Sequence, residues 1–374
     1  MKRKFKMLHL NRKIVGPVFA ATIMALLVLV MSACGSLSGA STLSDSLANT
    51  SKQSDHQSGM SYNFQTLDNN ADRTFNQLLG INNDGKIAGY FGSGTVVNGT
   101  LHPNKGYTLS RPYQQNNYHN ENFLDSVQTQ VTAINNQGNT AGFWVDGNGN
   151  NFGFVEWNGF FIPFQGPDTP APATSSSTTP SFTQLLGLND KGIAVGFDNS
   201  YVNTNGTITT VSHGFMLDLN KKGGKFTAIA FPTGASSLTA TAINDNGDVA
   251  GFYVDSNNNT DGFLLKGNTF TTFRYPISSR TSATSTMFLG INKYDQIVGT
   301  YVDSNNQTRG FLLTSPLLHM QWQTIDDPKG INNGKTFSGI GDNGTTVNGI
   351  NDNGQLVGFY VDSKGNTDGF LATP

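Results

Sequence analysis

The chain has 374 residues, with 23 lysines and arginines against 25 aspartates and glutamates, for a formal net charge of −2. That balance leaves no basic excess for nucleic acid, and a single cysteine, Cys34, rules out an internal disulfide or a cysteine-rich metal site. With 43 glycines, 13% charged residues and abundant Asn, Thr and Ser, the composition is that of a turn-rich β protein.

Lys2, Arg3, Lys4, Lys6, Arg12 and Lys13 precede an almost wholly apolar run, Ile14 to Met31, and Ser32-Ala33-Cys34-Gly35 follows at once. Basic, then apolar, then small residues make an export signal. With its cysteine directly after Ser-Ala, the segment resembles a bacterial lipoprotein signal. That resemblance implies cleavage after residue 33 and lipidation of Cys34, and so an extracytoplasmic protein held to a membrane by its lipid. The competing reading is an uncleaved anchor helix, since the apolar run is just long enough to span a bilayer. Residues 34–61 are rich in Ser, Gly, Asn and Thr and carry no aromatic residue before Tyr62, which predicts a flexible tether.

From Tyr62 onward the sequence repeats. The unit is Asn-x-x-Gly-x-x-x-Gly, an aromatic residue, a polar loop, then Gly-Phe. It starts at Asn82, Asn135, Asn189, Asn244, Asn292 and Asn351, at separations of 48 to 59 residues. Units of about that length with four short strands each mark the blades of a β-propeller. In the fourth copy the strands fall up to Ile243, from Asp248 to Asp255, from Gly262 to Leu265, and from Thr269 to Arg274. Asn244-Asp245-Asn246-Gly247 is a tight hairpin turn whose last residue needs positive φ, and Asp295, which replaces that glycine in the fifth copy, is among the few residues that tolerate it.

The sixth copy ends at Pro374 without a fourth strand, while Phe64 to Asp68 resembles the fourth strand of the fifth copy, Gln321 to Asp326. The expectation is therefore an all-β, six-bladed propeller over residues 62–374, of four-stranded blades, whose last blade is completed by the N-terminal strand. Long second-to-third-strand segments in the first and third copies (Phe91 to Lys105, Asp198 to His213) and a Pro/Ser/Thr run from Gly166 to Ser181 are predicted as surface loops.

Gly349 to Leu371, GINDNGQLVGFYVDSKGNTDGFL, resembles the HAF repeat of bacterial probable extracellular repeat proteins. The resemblance extends over nearly all of residues 80–374 and implies export and a propeller-like fold, but no established activity. The repeat's histidine occurs here only as His213; the same position elsewhere is Asp261, Arg309 or Asp368.

In an antiparallel four-stranded blade the first and third connections share one face of the disc, and the second and inter-blade connections share the other. The uniform Asn-x-x-Gly turns occupy the first face, so variable loops, and with them function, are expected on the second. Asp255, Asn257, Asn259 and Asp261 place oxygen side chains at alternate positions in one such loop, which would suit calcium; without the sixth-position glycine and distal glutamate they are no EF-hand, and Asx-type turns explain them as well. Tyr113, Tyr118 and Tyr201, with His213, are the candidates for a ligand-stacking surface on that face. No catalytic motif stands out, and no cofactor beyond calcium is expected. The sequence reads best as a surface-anchored binding module for a polysaccharide or an envelope protein. The alternatives are a secreted hydrolase or lyase using loop Asp and His residues such as His102, His119, His213 and Asp198 near the central channel, and a calcium-stabilised scaffold.

Overall fold

The computed structural model describes residues 60–97, 99–331 and 344–374. The expected signal (1–33), Cys34 and all of the tether before Met60 lie outside the described residues.

Six four-stranded antiparallel sheets follow one another around an axis, each built from strands that follow one another along the chain, apart from a short ribbon inserted in the first and the N-terminal strand that joins the last. Blade four shows the plan, with strands Ser237–Ile243, Val249–Val254, Thr260–Lys266 and Thr269–Phe273. The inner strands of the other blades are Asn76–Ile81, Gln128–Ile134, Thr183–Leu188, Thr286–Ile291 and Thr345–Ile350. The sixth sheet is completed by the N-terminal strand Asn63–Thr66, in antiparallel register with the last strand from Asn63 opposite Thr373 to Thr66 opposite Phe370. The Phe64 and Phe370 rings lie 5.4 Å apart across this seam, so the ring closes as expected and the last blade has the same four strands as the others.

The turn chemistry follows the sequence. The Asn244 carboxamide oxygen accepts from the backbone N–H of Asn246 and Asp248, both at 3.0 Å, and Gly247 adopts φ 90°. Asp295 takes the same left-handed place at φ 58°. The glycines beside the aromatic residues exist for space. A β-carbon on Gly262 would lie 2.6 Å from the ring of Phe288 in the next blade, so the blades interlock through a gap that any side chain would fill.

Two features hold the inner ring together. Every inner strand carries a bulge at the same place, between Leu78 and Gly80 in blade one and at the equivalent residues of the other five. The bulged residue is freed from its own ladder and can reach the neighbouring blade. Thr132 donates to the Leu185 carbonyl and Thr241 to that of Phe288, each at 2.7 Å, and Asn348 donates to that of Leu78 at 3.0 Å. Just beyond the bulge stand Gly80, Ala133, Gly187, Ala242, Gly290 and Gly349, which line the axial channel. A β-carbon on Gly349 would sit 3.3 Å from the Gly80 Cα, so only small residues let the inner strands meet.

Two expected loops are ordered differently. In blade three the segment Asp198 to His213 is a continuation of the sheet: the second and third strands run as Ile193–Thr204 and Thr207–Asp218, paired to the tip. The run from Gly166 to Ser181 is clasped to the domain. The Asn150 carboxamide, fully buried, accepts from the Ala173 and Ser181 N–H groups and donates to the Ala173 carbonyl, while Gly166 N–H bonds to Thr183 and Asp168 N–H to Asp198.

Candidate functional site

The turn face is closed by hydrogen bonds. The repeat asparagine of every blade donates its Nδ2 to the backbone carbonyl of the repeat asparagine in the next. Asn82 reaches Asn135, which reaches Asn189, then Asn244, Asn292 and Asn351, and Asn351 returns to Asn82, over 3.0 to 3.3 Å. All six are at least 95% buried. A second ring lies outside the first: Asn83, Asn136, Asp190, Lys293 and Asp352 each donate a backbone N–H to the side chain at the same position of the following blade. The link from Asp245 is missing because Lys293 has no acceptor, and the Lys293 ammonium instead lies 3.3 Å from Asp352. Burial and the neighbouring Asp190 carboxylate push the Asp245 carboxyl up. These residues surround a shallow polar depression on the axis.

The opposite face carries the loops. Asp146, Asp255, Asp303 and Asp362 open four equivalent connections, and each accepts the backbone N–H groups two and four residues on, at 2.7 to 3.0 Å. Asn258 and Asn306 take positive φ at the fourth position, as Gly149 and Gly365 do in the sister loops. The expected calcium donors are thus engaged in turn formation. Asp255 also accepts from Asn259 Nδ2 and from Arg274, and Asp261 is held by the same guanidinium through Nε and, at 2.9 Å, through Nη2. Asn257 contributes its backbone N–H to the loop and leaves its side chain in solvent. The charge that Asp255 and Asp261 face is therefore Arg274, a residue the sequence reading passed over, and among the described residues no group of three acidic, histidine or cysteine side chains could hold a metal ion.

The tyrosines do not form one surface. Tyr113 belongs to the third connection of blade one and therefore to the turn face, where its hydroxyl donates to the Gly85 carbonyl at 2.7 Å. Tyr118 is on the outer strand Tyr118–Asn120, edge-on to the buried Tyr107 at 4.9 Å, and serves packing. Only Tyr201 stands on the variable face, at the base of the blade-three hairpin, with its hydroxyl on the Pro180 carbonyl at 3.0 Å. His213 is on the same ribbon but on its other face, in register with Asp198, 2.8 Å from Ser200 through Nε2 and stacked on Phe231 at 5.6 Å.

The histidines and acids proposed for hydrolysis are dispersed. His102 pairs with Asp72 at 2.8 Å in blade one, His119 is exposed on an outer strand, and His213 bonds to Ser200 in blade three. Asp198 stands directly across the strand pair from His213, wholly buried, and burial is the main cause that pushes its carboxyl up to about 6. Neither Asp72 nor Ser200 carries a motif in the sequence; the fold alone makes them partners. Asp326 is claimed by Arg309 at 2.6 Å, while Asp327 accepts the Lys329 N–H.

On the same face two hairpins rise above their neighbours. One is the short ribbon Val96–Val97 with Thr100–Leu101 in blade one. The other is the tip of the blade-three pair, which runs on from Ser200 to Thr204 and returns from Thr207, roughly 17 Å at the rise of a β-strand. Val96 (51% exposed), Val97, Leu101, Val202 (49%) and Ile208 turn aliphatic side chains to solvent there. Among the described residues no helix is long and apolar enough to cross a membrane.

A family described as protein of unknown function (DUF3466) matches residues 165–314, which take in blades three and four and most of blade five. No curated protein sequence matches the chain. Among solved structures, the chain is similar to a mutant of the Aleuria aurantia lectin in complex with Fucα1-6GlcNAc, at 14% identity and a TM-score of 0.44 over 79% of this chain and 91% of that one. It is also similar to a mutant of AofleA from Arthrobotrys oligospora, at 7% identity and a TM-score of 0.44 over 83% and 86% of the two chains. A polysaccharide lyase, an ulvan lyase, aligns at 13% identity and a TM-score of 0.36 over 66% and 69%. At such identities these likenesses concern the fold and leave open what this chain binds.

Proposed function

We propose that the protein is a lipid-anchored, extracytoplasmic binding module that engages an envelope protein through the hairpins of its variable face. One observation carries this reading: the two faces are unequal. The turn face closes the ring with its polar groups and shows its exposed apolar side chains (Tyr294, Leu317, Leu318, Met320) on short connections, whereas the variable face lifts two paired ribbons with exposed aliphatic residues above the disc. Exposed apolar side chains gathered on raised elements are what a protein partner buries. The lipoprotein-type signal and tether would hold this face clear of the membrane.

The test is a pulldown from envelope extract with the 62–374 domain, run beside a variant whose 200–211 ribbon is replaced by the short Asp-Ser-Asn-Asn-Asn loop of blade four. A partner retained by the parent and lost by the variant supports the reading; equal retention removes the hairpin from it. A polysaccharide ligand is the second reading, favoured by Tyr201 standing on the variable face at the base of the hairpin. Glycan-array binding that disappears in Tyr201→Ala would establish it. Labelling with a radiolabelled fatty acid, present in the parent and absent in Cys34→Ser, tests the anchor.

A further inference from the structure

The internal repeats allow one blade to serve as the control for another. In each blade the residue just before the third-strand glycine faces a residue one or two past the end of the outer strand. In blade four this facing pair is Asp261 and Arg274, and in blade five it is Arg309 and Asp326, the same pairing with the charges exchanged. In blade six the register, continued one step past Leu67 and Gly369, sets Asp368 opposite Asp68. Two carboxylates thus meet where the sister blades hold an ion pair. The position is also the seam, because Asp68 lies two residues past the end of the N-terminal strand that closes the ring.

We propose that this facing pair makes ring closure pH-sensitive: the N-terminal strand is held more firmly in mild acid than at neutral pH. The groups around the pair favour this. Asp368 stands across the strand pair from Tyr360 and near Asp362, which opens the adjoining loop. Asp68 accepts the Gly369 N–H at 3.1 Å, with Asn76 and the exposed Arg73 on its other side. Lys329, in the connection leaving blade five, is the cation common to both, but its ammonium bonds to Thr66 at 2.8 Å and makes no ion pair with either. Buried Asp327 adds a further negative charge beside Tyr360.

Burial first, then the Asp68 and Asp362 carboxylates, push Asp368 up to about 6, and burial likewise pushes Asp68 up against its hydrogen bonds and Lys329. A carboxyl raised in the folded state above its ordinary value near 4 contributes stability that is complete in acid and is lost as the pH rises through the folded value. The window is therefore about pH 4 to 6. The closing strand is only four residues long, so a repulsion at its end acts on a small set of backbone bonds.

Hydrogen exchange of the amides of residues 63–67, corrected for intrinsic rates, reads the seam directly. In the parent, protection should fall between pH 4.5 and 7.5. Asp368→Asn, which removes the charge, and Asp368→Arg, which copies blade five, should each abolish that fall. Each should also exceed the parent at pH 7.5, with melting raised by about 2 °C or more. Both variants leave the Asp68 bond to Gly369 in place. Lys329→Ala should deepen the parent's fall. Equal parental protection at the two pH values, or an undiminished fall in both Asp368 variants, overturns the proposal. Asp198→Asn, at a raised carboxyl away from the seam, serves as the control and should leave the seam's response unchanged.

Discussion

Replacing Asn189 tests how the turn face is held. Its side chain, 3% exposed, makes three bonds: Nδ2 to the Asn244 carbonyl at 3.0 Å, and Oδ1 from the Lys191 and Ile193 N–H groups at 3.1 and 2.9 Å. Asn189→Ala loses all three. Water can reach the Lys191 N–H, and the Asn244 carbonyl keeps its bond from Gly247, so one buried N–H and one weakened carbonyl remain. At about 1–3 kcal/mol for each buried group left unmet, the change should cost roughly 2–4 kcal/mol. Asn189→Asp separates the roles, since it keeps an oxygen for both turn bonds and gives up only the donor to the next blade. It should cost about 1–2 kcal/mol, the value of that link plus the meeting of two oxygens. The assay is urea unfolding followed by tryptophan fluorescence, with the exposed Asn257→Ala as control and an expected effect within about 0.5 kcal/mol. If Asn189→Asp unfolds at the same urea concentration as the parent, the inter-blade ring contributes nothing and the asparagine is a turn residue only.

The seam should be equally testable. Phe64→Ala should cost about 1–2 kcal/mol for a half-buried ring packed on Phe370, and removing residues 62–68 should cost more, since it uncovers a whole sheet edge; unfolding midpoints decide both. Arg274→Gln should destabilise by about 1–2 kcal/mol, because Asp255 and Asp261 lose their shared cation at a partly exposed site, whereas EDTA should leave the parent's melting temperature unmoved. A drop in melting temperature on EDTA addition would favour the calcium-stabilised scaffold instead. Asp198, raised to about 6 chiefly by burial, makes stability fall as pH rises from about 4 to 6; Asp198→Asn should flatten that part of the stability curve measured by thermal melts from pH 4 to 8.

What the sequence determined is whatever short-range chemistry writes into each repeat. The Asn-x-x-Gly spacing gives the hairpins because a carboxamide oxygen two to four residues from its partners needs no help from elsewhere. Asp295 could stand for glycine because left-handed backbone is a property of one residue. Six copies with one strand missing at the end and one spare at the start settled the closure. The Asp-opened loops were equally local, which is why they resemble metal loops and work as turns.

Only the tertiary structure decided which groups meet across blades. The nitrogen end of Asn189 bonds to a carbonyl 55 residues away, and no local pattern distinguishes that use from an idle turn residue. Arg274 finds Asp261, and Asp68 faces Asp368, through strand register alone. Tyr113 and Tyr118 resembled members of a loop set with Tyr201 until the strand boundaries of blade one put one on the turn face and the other in the packing. The hairpin of blade three could not be told from a loop because Asn, Ser and Thr form either; the pairing of Ile193–Thr204 with Thr207–Asp218 made it a ribbon. Side chains commit to partners only once the backbone fixes distances of a few ångströms, and in a closed ring those distances are set by the neighbouring blade.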